Sequence, residues 1–290
     1  AGLIRSAWRY EGEKWIWEFT IPDGATALVS PPDGRPTMRY DAGTHLVVCC
    51  LGESGQMIRG ASAHASDLPE LRLDWAGGPW RDRMNETVRK LKGATLDFVV
   101  FGDSIMMGWM QSATNDWKGG LEVWNRHWGK KSVANLGMSG DRTEHLLWRI
   151  ERDGQADGWR AKVIFVMIGI NNATQKKPDG TGPDSPETCA KGMSRVVDSL
   201  VKRHPESKIV ILGAIPYPRQ AAWVRAYNSL ISRQADGVQV FYRDSGEFFL
   251  RPDGNGPDSS LFKDGLHPNP SGYDRLAVGM DRILADMKDI

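Results

Sequence analysis

Five short runs of almost unbroken apolar residues constrain this chain most: Leu96–Phe101, Val133–Leu136, Val163–Ile168, Ile209–Ile215 and Val238–Tyr242. A strand with one wet face alternates apolar and polar side chains. A run that is apolar at nearly every position suits a strand covered on both faces, as in a parallel sheet between helical layers. The segments between the runs carry the helical period instead. Cys189, Met193, Val196, Val197, Leu200 and Val201 fall on one helix face, as do Tyr273, Leu276, Ala277, Met280, Ile283, Leu284 and Met287 near the end of the chain. Strands alternating with helices predict an α/β domain over residues 76–290. Its five-stranded parallel sheet carries helices on both faces, joined by right-handed crossovers.

Residues 1–75 follow another rhythm. In Trp15–Thr20 the side chains of Trp15, Trp17 and Phe19 share one face and Glu18 and Thr20 the other. Turn signals at Pro22-Asp23-Gly24 and Pro31-Pro32-Asp33-Gly34 separate this strand from Ala25–Ser30 and Thr44–Cys49. A small antiparallel β module is expected ahead of the α/β domain. A Pro/Gly/Asp-rich stretch, Lys176–Pro186, reads as a surface loop beyond a strand end.

Composition narrows the function classes. In 290 residues, 37 Lys and Arg balance 36 Asp and Glu, a net charge of +1 that points to neither nucleic acid nor an anionic membrane. No apolar run approaches the roughly 20 residues of a membrane span, so no stable membrane insertion is expected. Cys49, Cys50 and Cys189 lack zinc-ligand spacing and read as free, buried thiols. That fits a reducing compartment and is compatible with the periplasm. The chain starts at Ala1 without a Met, which leaves room for a removed leader, and a periplasmic or secreted location is favoured over a cytoplasmic one. Twelve tryptophans suit core packing first and stacking on sugar rings second.

Four short motifs lie where strands end or helices begin. Gly102-Asp103-Ser104 follows the first apolar run, so Ser104 Oγ reaches the carboxyl rim of the sheet beside the N–H groups of a helix start. Taken alone, Asp103 or Ser104 is equally a helix cap. Gly137–Asp141 follows the second run, with glycines that let the backbone approach a ligand, or that make an ordinary turn. Gly169-Ile170-Asn171-Asn172 follows the third and offers either an amide donor or a turn-forming pair. Asp264-Gly265-Leu266-His267 precedes the last helix. At this spacing a carboxylate can hold imidazole Nδ1–H and leave Nε2 free to take a serine proton; a lone Asp-x-x-His is more often a cap.

In this order the four blocks resemble those of the SGNH, or GDSL-type, hydrolase family over the segment from about Trp80 to Ile290. The runs Trp80–Ile105 and Ala134–Gly154 are similar to the platelet-activating-factor acetylhydrolase Ib and carbohydrate acetylesterase branch. The resemblance implies a flavodoxin-like three-layer α/β/α fold. It also implies a Ser104, Asp264 and His267 triad, an oxyanion hole from Ser104 N–H, Gly140 N–H and the Asn171 side chain, and no metal or cofactor. Two positions depart from the family pattern: Ile105 stands where the motif has Leu, and Asn172 where many members have Asp. Residues Trp8–Gly34 and Tyr40–Val48 resemble the C-terminal β-sandwich tail of bacterial α-L-rhamnosidases, which implies a polysaccharide context. The function expected is hydrolysis of short acyl esters, above all O-acetyl groups on carbohydrates. A lysophospholipase, a thioesterase and an inactive carbohydrate-binding protein are the alternatives. Met106, Met107 and Trp109 are candidates for lining a small acyl pocket, and equally for packing the first helix. Oligomeric state, the sugar and the acetylated position are not legible.

Overall fold

The computed structural model describes residues 2–12, 14–33, 37–51, 66–70, 72, 77–112, 119–176 and 182–287. The chain divides into two compact units, with the larger one beginning at Ser66. The expected boundary between residues 75 and 76 lies outside the described residues, as do residues 177–181 of the Lys176–Pro186 loop.

In the smaller unit, β1 (Arg5–Glu11), β2 (Lys14–Ile21) and β5 (Gly43–Cys50) form a three-stranded antiparallel sheet with β2 in the centre. β3 (Ala27–Val29) and β4 (Met38–Tyr40) pair separately. Trp15 and Trp17 pack on a core of Phe19, Ile21, Val29, Val47 and Cys49, so the face read from the alternation carries this core, while Lys14 and Ile16 on the other face are buried as well. The sequence reading missed β1. Its residues are exposed on both faces and carry no clean apolar alternation, and its pairing with β2 is what defines it.

The larger unit contains α1 (Gly77–Lys90), β6 (Thr95–Gly102), α2 (Ser104–Met107), α3 (Leu121–Trp128), β7 (Val133–Gly137), α4 (Thr143–Glu151), β8 (Arg160–Met167), α5 (Ile170–Thr174), α6 (Pro186–Arg203), β9 (Lys208–Leu212), α7 (Ala221–Ile231), β10 (Val240–Arg243) and α8 (Pro270–Asp286). The five parallel strands lie in the order β10-β9-β8-β6-β7. After β6 the chain steps outward to β7, then returns past β6 to β8, β9 and β10. Right-handed crossovers in opposite directions put their helices on opposite faces. Accordingly α3 packs with α8, whereas α4, α6 and α7 pack together. The strands are as dry as their sequences imply: Phe98 to Phe101, Ile164 to Val166 and Ile209 to Leu212 are fully buried.

Local signals set the helix ends. Ser185 caps α6 by accepting the Thr188 N–H at 3.2 Å, and Pro186 supplies a pre-set first turn. Asn269 caps α8 in the same way through Gly272 N–H at 3.1 Å, again with Pro at the first position. Trp109, Trp124 and Trp128 interlock with Phe98 and Tyr273 between α3, α8 and β6, with centroid separations of 4.6 Å for Trp109–Tyr273 and 5.0 Å for Trp124–Trp128. Much of the tryptophan content of this unit is therefore core.

Strand register lines up the chemistry. Gly102 of β6 is level with Gly137 of β7 and Met167 of β8, so the three following loops leave the same edge of the sheet. A Cβ on Gly102 would lie 2.3 Å from Met167 O and 2.6 Å from Met106 Cγ, which only glycine avoids.

Candidate active site

Ser104 opens α2 directly beyond the β6 edge. Asp103 caps the turn by accepting the Ile105 N–H at 3.0 Å, and this fixes the backbone that aims the Ser104 side chain. Ser104 Oγ lies 2.9 Å from His267 Nε2, although 163 residues separate them. His267 Nδ1 lies 2.7 Å from Asp264 Oδ2. The other carboxylate oxygen, Oδ1, accepts the His267 N–H at 2.8 Å and the Leu266 N–H at 3.0 Å. One carboxylate thus holds both the ring and the backbone of the histidine. The Phe262–Pro268 bridge and the Asn269 N–H donating to Leu261 O at 2.9 Å close this loop just before α8.

The Asp264 side chain is about half exposed. Burial works to raise its carboxyl, but the backbone and ring donors of His267, with the Leu266 N–H, hold it below the ordinary carboxylate range. It therefore stays anionic beside the ring, and an imidazole with Nδ1–H directed at it presents its Nε2 lone pair to Ser104.

The Gly140 and Asn171 loops are tied to this edge and to each other. Met138 N–H donates to Gly102 O at 2.9 Å. Asn171 Nδ2 donates one hydrogen to Asp141 O at 2.9 Å and retains a second. Asn171 Oδ1 accepts from Gln175 Nε2 at 2.8 Å, which settles the orientation of the amide. Beneath the loop, the fully buried Asp141 carboxylate accepts from Arg149 Nη1 at 2.7 Å and Arg72 Nη1 at 3.3 Å. Arg149 also donates to Leu136 O, and Arg72 to Ser139 O.

A second buried cluster flanks the third loop. Asn172 Nδ2 donates toward Asp184 Oδ2 at 2.9 Å and Glu144 Oε2 at 3.0 Å, and Asn172 Oδ1 accepts Thr143 N–H at 3.1 Å. Glu144 in turn accepts from Arg142 Nε at 2.5 Å. An amide fits between two carboxylates because it can donate to both; an aspartate there would add a third acceptor. The departure at Asn172 is thus explained by its neighbours.

Burial pushes the Asp103 carboxyl up to about 7, reinforced by the nearby Asp141 charge and opposed by the Ile105 N–H. Its Oδ2 is buried and has no hydrogen-bond partner among the described residues.

The structure therefore gathers Ser104, His267 and Asp264 into one hydrogen-bonded chain and links the Gly140 and Asn171 loops to the same sheet edge. Met106 and Trp109 lie elsewhere: both are fully buried in the core, Met106 under Gly102 and Gly137, and Trp109 among Trp124, Trp128 and Tyr273. Met107 is half-buried. Arg72, Arg149 and Gln175 carried no role in the sequence reading, and Asp141 appeared there only as the end of a glycine-bearing turn. Gln175 stands four residues after Asn171 on a short helix, a spacing that could have signalled the contact; Arg72 carries no local signal at all.

A hydroxyl, an imidazole and a carboxylate hydrogen-bonded in series at the carboxyl edge of a parallel sheet have the geometry that proton removal from the hydroxyl requires. The family described as GDSL-like lipase/acylhydrolase matches residues 100–275, and the chain belongs to this family. Over 228 residues it is 25% identical to the human platelet-activating factor acetylhydrolase IB subunit alpha2, a match covering 76% of this chain and 90% of that protein. Among solved structures, a GDSL-like lipase from Bacteroides thetaiotaomicron superposes with a TM-score of 0.51 at 16% identity, covering 71% of this chain and 97% of the other. An acetyl xylan esterase superposes with a TM-score of 0.51 at 20% identity, covering 64% and 98%. These superpositions establish the fold.

Proposed function

We propose that this protein is a serine esterase that removes short acyl groups, most of all acetyl groups from carbohydrate hydroxyls, through an acyl-enzyme intermediate. The observation that carries the reading is the chain from Ser104 Oγ to His267 Nε2 at 2.9 Å and from His267 Nδ1 to Asp264 Oδ2 at 2.7 Å.

Ser104 Oγ attacks the ester carbonyl carbon while its proton passes to His267 Nε2. The carbonyl oxygen becomes an oxyanion facing the Ser104 and Gly140 N–H groups and the free Asn171 Nδ2 hydrogen. Asp264 supports the imidazolium. Collapse of the intermediate breaks the ester C–O bond, and the leaving alcohol takes the proton from Nε2. Water, deprotonated by the same nitrogen, then attacks the acyl carbon; the bond from that carbon to Ser104 Oγ breaks, Oγ takes the proton back from Nε2, and acetate is released. The residues perform these steps without a metal or cofactor.

Acetyl rather than long acyl substrates are favoured by the names of the relatives, which include a platelet-activating factor acetylhydrolase subunit and an acetyl xylan esterase. A carbohydrate leaving group is favoured by the second of these and by the rhamnosidase-like N-terminal sequence. The test is turnover of p-nitrophenyl acetate, octanoate and palmitate, followed by acetate release from acetylated xylan. Preference for acetate, and release from the polysaccharide, are expected. A preference for palmitate would replace this reading with a lipid-directed esterase.

A further inference from the structure

We infer that Arg72 is a positioning residue that strengthens the Gly140 oxyanion donor from outside the four motif blocks; this rests on the esterase reading above. Ser139 C=O and Gly140 N–H belong to one peptide unit. Arg72 Nη1 donates to that carbonyl oxygen. A charged donor on the oxygen draws electron density from the amide and makes its N–H a stronger donor on the other side, and it also fixes the plane of the peptide. The developing negative charge of the tetrahedral intermediate is where such polarisation acts.

The packing agrees. Gly140 has a φ of +79°, and a Cβ there would sit 2.4 Å from Arg72 Nη2 and 3.0 Å from Arg72 Cζ, so the guanidinium lies directly against this glycine. Arg72 is itself held. It contacts Asp141 Oδ1 at 3.3 Å, its side chain is only 9% exposed, and the opposite oxygen of Asp141 is occupied by Arg149 Nη1 at 2.7 Å. The carboxylate anchors the guanidinium, and the guanidinium's hydrogen bond is directed at the peptide. Arg72 precedes the region matched by the family, residues 100–275.

The experiment compares wild type, Arg72→Met and Arg72→Lys on p-nitrophenyl acetate, with active sites counted by titration with an organophosphate so that misfolded protein is excluded. Removing a whole oxyanion donor costs about a hundred- to a thousandfold, so losing its polarisation should lower kcat by about 10- to 100-fold. KM should stay within about threefold, and Ki for a trifluoromethyl ketone analogue of the tetrahedral intermediate should rise by the same factor as kcat falls. Arg72→Lys should recover part of both. A kcat per titrated site within about threefold of wild type in Arg72→Met, or a fall in kcat with unchanged Ki, would overturn the role of Arg72. Wild-type turnover that persists in Ser104→Ala would instead overturn the esterase reading on which it rests.

Discussion

At the scale of single residues, the site depends on a few donors fixed by partners of their own. Asn171 shows this well, because Gln175 and Asp141 O leave one amide hydrogen uncommitted. Asn171→Ala should lower kcat by about a hundred- to a thousandfold with little change in KM, as steady-state kinetics would show; an equal loss in KM would assign it to substrate binding. Asp103 behaves differently. The folded protein keeps its proton up to about pH 7, whereas the unfolded chain releases it near the ordinary value of 3.8. A raised carboxyl favours the folded state below that ordinary value, and the contribution is lost as pH rises through the folded value, at about 1.4 kcal/mol per unit of separation. Urea unfolding at pH 5 and pH 8 should therefore show a larger loss of stability in wild type than in Asp103→Asn. Identical losses would mean that Asp103 is already ionised at pH 5. Ser104, Asp264 and His267 were legible in the sequence because each sits in a short motif with fixed local geometry. Arg72 was not, since its effect arises from a contact with Ser139 across 67 residues.

At the scale of elements, the buried strands announced themselves through continuous apolar runs, and α6 and α8 through the helical spacing of their apolar residues. β1 did not, because an exposed edge strand needs no apolar pattern. α5 and the start of α4 are joined by the Asn172 cluster. Asn172→Asp would bring a carboxylate against Glu144 and Asp184 in a site where Asn172 is 1% exposed. A drop in Tm measured by calorimetry is expected, reflecting a loss of roughly a few kcal/mol of stability, as is typical of an unpaired buried charge. An unchanged Tm would show that the cluster can rearrange. At the other end of the same argument, Ser185→Ala should cost about 1 kcal/mol through the lost cap, read by chemical denaturation; no loss would leave the cap on α6 without energetic weight.

At the scale of the whole molecule, one sheet edge collects groups from the loops after β6, β7 and β8 and from the turn before α8. This follows from parallel topology, in which every strand delivers its carboxyl end to the same side. The α/β class, the parallel strands and the antiparallel N-terminal sheet could be read from periodicity, while the strand order required the register of real pairs. Met106 and Trp109 illustrate the limit: adjacency to Ser104 in sequence allowed either a pocket lining or packing of the first helix, and α2 and the turn after it carry both into the core. Among the described residues no helix is long and apolar enough to cross a membrane. The central claim is that His267 activates Ser104 as a nucleophile. It is tested most directly by intact-mass measurement after exposure to p-nitrophenyl diethyl phosphate. One diethylphosphoryl group on Ser104 in wild type, and none in Ser104→Ala or His267→Ala on the same timescale, is the predicted result. Equal labelling of His267→Ala and wild type, or an adduct on another residue, would contradict it.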